Sequence, residues 1–67
     1  MTVLAIRFWR EKRGMTQAEL AKAVGLTEAH IRAYEGGFES PKMATVIAIA
    51  DALHVTPYDL AKGAWKK

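Results

Sequence analysis

Chain-breaking signals recur along this 67-residue chain at short intervals, and they dominate what it can fold into. Gly14, Gly25, the Gly36–Gly37 pair with Ser40–Pro41, and Thr56–Pro57 cut the sequence into short pieces. Each piece reads at helical rather than strand period, and no alternation of β-branched and polar residues runs far enough for a strand. The expectation is an all-α fold, a compact bundle of about five short helices forming a single domain over residues 1–67.

Start signals sharpen that reading. Val3 to Arg13 places Val3, Ile6 and Trp9 on one face, away from Arg7, Arg10, Lys12 and Arg13. Thr16-Gln17-Ala18-Glu19 is a capping box, in which Thr16 accepts from the Glu19 amide and the Glu19 carboxylate reaches back to the Thr16 N–H. That helix is expected to run to about Ala23 and to bury Leu20, Ala21 and Val24. Thr27 caps a further helix through Glu35, with Ile31 and Tyr34 facing inward. Ser40–Pro41 is expected to open the fourth helix with proline at its first position, and Met43, Val46, Ile47, Ala50 and Leu53 form its apolar stripe. Thr56–Pro57 repeats the cap for a last helix holding Leu60.

Composition removes several function classes. The chain has no cysteine, so disulfides, thiolate zinc sites and cysteine nucleophiles are out. Ten Lys+Arg against seven Asp+Glu leave a net charge of +3, which suits an anionic partner without requiring one. The short run Val3 to Trp9 carries Arg7 and resembles no signal peptide, and Met43 to Leu53 is far below the ~20 apolar residues that span a bilayer. There is no Ser/His/Asp arrangement, no Walker-type loop and no carboxylate pair with a cleft, so no enzyme is expected. Gly36–Gly37 follows a helix and lacks the strand that a nucleotide-binding loop requires.

The stretch from Gln17 to Gly36 is the most informative. Two short helices joined by so few residues must cross steeply. Such a crossing needs a small side chain at the contact (Ala21), a residue at ease with positive φ in the turn (Gly25) and an apolar anchor on the second helix (Ile31). That spacing is a helix-turn-helix, placed at about residues 17–36.

With Thr16-Gln17-Ala18-Glu19-Leu20-Ala21, Val24-Gly25-Leu26-Thr27, Ile31, Tyr34-Glu35 and Gly37, the sequence resembles the lambda-repressor/Cro-like (Xre-type) helix-turn-helix DNA-binding domain. Ile6, Trp9 and Arg10 resemble the family's first helix. Pro41 and Ala50-x-x-Leu53-x-Val55-Thr56 with Leu60 resemble its last two. The resemblance implies that the Thr27 helix lies in the major groove while the preceding helix crosses the backbone. Base-reading candidates are then Thr27, Glu28, Ala29, Arg32 and Ala33. Arg32 suits guanine O6 and N7, Glu28 the cytosine N4–H, and Ala29 a thymine methyl. Phosphate candidates are Thr16, Gln17, His30 and Lys42. Arg10 is either a phosphate ligand or, as the corresponding residue is in family members, the partner of Glu35.

The family implies a sequence-specific transcriptional regulator, a repressor-like homodimer reading a pseudo-palindromic operator in double-stranded DNA. No cofactor, metal, small-molecule ligand or membrane is expected, and the expected location is the cytoplasm of a bacterial or phage-type host. Residues 25–45 hold Glu28, Glu35 and Glu39 against Arg32 and Lys42, a local charge of −1, so this surface is weakly equipped for non-specific DNA affinity. That balance keeps open a second reading, a protein-interaction module of the antirepressor or antitoxin kind. A third is an N-terminal piece of a larger repressor. His54 follows the fourth helix and is expected in the left-handed conformation. Trp9 is expected in the core. Trp65 either folds back on its domain or covers a partner chain, and Tyr58, Val55 and Ile49 are candidates for a self-association surface. Lys66–Lys67 reads as a solvated tail.

Overall fold

A computed structural model describes residues 4–63, which form five helices in the order α1 (Ile6–Lys12), α2 (Gln17–Val24), α3 (Glu28–Gly36), α4 (Met43–Ala52) and α5 (Pro57–Gly63). Among the described residues there is no strand, and no helix is long and apolar enough to cross a membrane. Val3, Trp65, Lys66 and Lys67 lie outside the described residues.

The helix boundaries are chemical. Three helices begin with the same device: the Thr16 hydroxyl accepts from the Glu19 amide and Glu19 from the Thr16 amide, and Thr56 pairs with Asp59 in the same way. At α3 the reciprocal partner of Thr27 is His30, whose Nδ1 lies 3.4 Å from the Thr27 amide and 2.9 Å from its hydroxyl. An imidazole nitrogen here takes the place of the carboxylate oxygen used at the other two helices. Four helices also end alike. Gly14, Gly25, Gly37 and His54 have positive φ, and the amide of the following residue bonds back into the last turn, as from Leu26 to the Ala21 carbonyl at 2.9 Å. His54, at φ 59°, carries a side chain in a conformation that suits glycine.

Ile6, Leu20, Ala21, Ile31, Ile49, Ala50, Leu53 and Leu60 form one buried core to which all five helices contribute. Individually these helices of seven to ten residues are too short to persist in water, so packing on this core makes them stable. Val24, Tyr34 and Trp9 are partly buried against it. The amide of Ala5, at the start of α1, donates to the Leu60 carbonyl of α5 at 3.0 Å and closes the bundle.

Two expectations for α4 fail. Pro41 is not its first residue: the helix starts at Met43 with Lys42 as N-cap, two residues later. Its buried stripe is also turned. Met43 and Ile47 are exposed, while Ile49 is fully buried beside Ala50 and Leu53. The helix is apolar almost all round, so periodicity alone left its phase undetermined. Ile49 is thereby withdrawn from any self-association surface, whereas Tyr58 is exposed and Val55 partly so.

Arg13, which the sequence places off the apolar face of the first helix, has a structural task. Its Nε donates to the Leu53 carbonyl at 2.7 Å and its Nη2 to His54 at 3.4 Å, tying α1 to the end of α4. The same guanidinium lies over the Trp9 ring.

Candidate nucleic-acid interface

Ala21 is buried where α2 meets α3, Gly25 turns the chain at φ 75°, and Ile31 anchors α3 in the core. Nothing lies within 4 Å of a Cβ built on Gly25, so its requirement is conformational rather than steric.

A polar network fixes this unit to α1. Arg10 Nε and Nη2 donate to the two carboxylate oxygens of Glu35 at 2.6 and 3.2 Å. Arg10 Nη1 donates to the Met15 carbonyl at 2.7 Å. Gln17 Nε2 donates to Glu35 at 3.0 Å, bringing α2 into the same cluster. The Arg10 and Glu35 side chains are only 10% and 6% exposed, and no buried polar side-chain atom among the described residues lacks a partner. The Glu35 hydrogen bond raises the Arg10 pKa above its ordinary value, outweighing burial, which lowers it. Arg10 is therefore committed to Glu35. Gln17 spends one amide hydrogen on the same carboxylate and keeps the other.

With Ile31 and Glu35 turned inward, α3 presents its opposite face. Thr27, Glu28, Ala29 and Arg32 are exposed along it, and His30 flanks them, its ring held against Tyr34. Ala33 departs from the expected outward set, being half-buried at the start of the turn that ends α3, where its carbonyl accepts from Phe38. Glu28 and Arg32 form an ion pair one turn apart at 3.5 Å, both more than half exposed. Thr16 is exposed with its hydroxyl capping α2. Lys42 is exposed at the N-cap of α4 and has no ion-pair partner among the described residues. Phe38 is 85% exposed in the turn between α3 and α4.

No group of three or more His, Asp or Glu residues able to hold a metal occurs among the described residues. His54 and His30 serve helix ends instead.

The arrangement has close counterparts. The sequence profile of the helix-turn-helix family matches residues 6–60, nearly the whole described region. The crystal structure of the P22 c2 repressor in complex with synthetic operator 9T is similar at a TM-score of 0.81 and 34% identity, over 87% of this chain and 88% of that one. The solution structure of the DNA-binding domain of the P22 c2 repressor is similar at a TM-score of 0.80 and 30% identity, over 92% and 83%. A hypothetical transcription factor, NHTF from Neisseria, is similar at 0.79 and 30%, over 84% of this chain and 64% of that one. Comparison with curated proteins by sequence gives no match. A profile match over most of the chain and repressor structures of this likeness agree with the geometry: the chain belongs to the helix-turn-helix family of lambda-repressor/Cro-like domains.

Proposed function

We propose that this chain is a sequence-specific DNA-binding transcriptional regulator that acts in the cytoplasm as a homodimer, reading a pseudo-palindromic operator with α3 in the major groove. The observation that carries this reading is the uncovered outer face of α3, held at a fixed attitude by Ile31 and the Arg10–Glu35 fork. In this role Thr27 leads into the groove, Ala29 meets a thymine methyl, and Glu28 and Arg32 address base edges. Ala33, half covered, is the weakest of the base-reading candidates. Thr16, the unspent Gln17 amide hydrogen, His30 and Lys42 face the flanking phosphates. The similar P22 c2 repressor structure is an operator complex, which supports the same use of the fold here.

Two copies related by a two-fold axis would read half-sites centred about one helical turn, ~34 Å, apart. The groove between α4 and α5, lined by Ile47, Ala48, Val55 and Pro57, is the surface we assign to that contact, with exposed Tyr58 beside it. Sedimentation across a concentration series tests it: Ile47→Glu is expected to shift the chain toward monomer.

DNA binding itself is tested by a salt titration on random duplex. Affinity that falls steeply with rising salt is expected. Flat or absent binding at low salt overturns the reading and favours the protein-interaction module, for which the observation is Phe38, a bare aromatic ring in the α3–α4 turn.

A further inference from the structure

The Glu28–Arg32 pair has a chemistry that neither residue has alone. Its carboxylate and guanidinium sit 3.5 Å apart on the exposed face of α3, one turn apart and in the favourable order along the helix. Seen from outside, the pair offers hydrogen-bond donors from Arg32 and, directly beside them, an acceptor from Glu28. The major-groove edge of a guanine–cytosine pair offers the complement in the same order: N7 and O6 acceptors, then the N4–H donor. O6 and N4 of one base pair are hydrogen-bonded to each other, about 3 Å apart. That spacing matches the separation within the ion pair.

We infer that Glu28 and Arg32 act as one reading head for a single guanine–cytosine pair in each half-site, Arg32 donating to guanine while Glu28 accepts from the cytosine of the same pair. This rests on the DNA-binding reading and specifies its chemistry. The guanidinium can serve guanine with its outward hydrogens while Nη2 stays beside the carboxylate. A solvent-exposed pair of this kind is only weakly self-satisfied, so it re-aims readily when a matching edge is offered. Two of the other base pairs oppose both groups: adenine–thymine and cytosine–guanine each set a donor against the guanidinium and an acceptor against the carboxylate. A thymine–adenine pair keeps the acceptor–donor order but replaces the N7 acceptor by the thymine methyl, so it forfeits only the second Arg32 contact. Glu28 also carries negative charge into a groove walled by phosphates. It therefore lowers affinity for random sequence while sharpening choice.

The experiment uses the full chain with Glu28→Ala, Arg32→Ala and the double variant, each checked for retained helical circular dichroism; both side chains are exposed, so the fold is expected to survive. Site selection from a random duplex pool comes first, followed by binding to the selected site with each position substituted. Replacing the key guanine–cytosine pair by adenine–thymine is expected to weaken the parent chain by about 10- to 100-fold. Each single variant is expected to lose preference at that same base pair, and the double variant to lose no more than either. Glu28→Ala is also expected to bind random duplex more tightly than the parent at low salt. Relaxation at two different base pairs, or unchanged discrimination in Glu28→Ala, overturns the joint reading while leaving DNA binding intact. Failure of the parent chain to bind any duplex at low salt overturns both.

Discussion

Replacing Arg10 by Met tests the claim that the helix-turn-helix is held to α1 by a buried fork rather than by packing alone. Met keeps the aliphatic bulk but removes three hydrogen bonds, two to Glu35 and one to the Met15 carbonyl. Glu35 is then a nearly inaccessible carboxylate with only the Gln17 amide against it. Breaking a buried pair from one side costs about 3–5 kcal/mol, and about 1 kcal/mol of that is the orphaned Met15 carbonyl. A chain of this length has a total stability of roughly 3–10 kcal/mol. Urea unfolding followed by circular dichroism is the assay, and with a slope near ~1 kcal/mol per molar the midpoint is expected to fall by several molar. Arg10→Met/Glu35→Gln removes the stranded charge and is expected to regain about 2–3 kcal/mol relative to additive losses, the Met15 share persisting. A single-variant loss below about 1 kcal/mol, or a coupling below about 0.5 kcal/mol, would mean that the fork behaves as a surface ion pair and refute the reasoning.

Other substitutions probe the helix ends and the interface. Gly25→Ala is expected to cost about 1–2 kcal/mol in the same unfolding assay, from left-handed strain alone; a much larger loss would point to a steric clash that the structure does not contain. His54→Gly relieves the same strain but adds freedom to the unfolded chain, giving a net gain of up to about 1 kcal/mol. Asp59 is held below the ordinary carboxylate range by the Thr56 backbone N–H and then by the Thr56 hydroxyl. Its contribution is present above the unfolded value of about 3.9 and lost as pH falls through the depressed folded value, so Asp59→Asn is expected to flatten the acid limb of a thermal-stability profile. Lys42→Ala is expected to weaken specific and random duplex alike and to reduce the salt slope by about 1; loss confined to one sequence would reassign it to base reading.

Much of the fold was legible because its boundaries are written locally. Thr16 with Glu19, Gly25, Thr27 and Thr56 with Pro57 act on the backbone within a turn, and the structure places helix ends there. The left-handed His54 was expected because the family resemblance sets it where glycine is common, with the tolerance of His for that conformation in support. What escaped depends on neighbours far away in sequence. The side of α4 that faces the core is chosen by packing, so Met43 and Ile47 came out exposed and Ile49 buried. Arg13 reaches across some forty residues to the end of α4, and no local pattern announces that. The Arg10–Glu35 pairing was suggested only through the family resemblance; the inward turn of the Gln17 amide was not suggested at all. At α3 itself, the spacing placed Glu28, Ala29 and Arg32 outward, as found, but Ala33 is half-buried by the turn that follows; the Glu28–Arg32 contact and the His30 closure required atomic positions.

The bond from the Ala5 amide to the Leu60 carbonyl makes one proton a gauge of how the last helix is seated. That amide sits at the N-cap of α1 and is bonded to α5, so it exchanges with solvent when the start of α1 and α5 part or when the whole domain opens. Compared with amides deep in α2, its exchange rate separates the two events: a faster rate at Ala5 measures the parting of α5 (Pro57–Gly63) from the start of α1 alone. Any partner that seals the α4–α5 groove would slow that single exchange, giving a spectroscopic handle on assembly that needs neither label nor substitution.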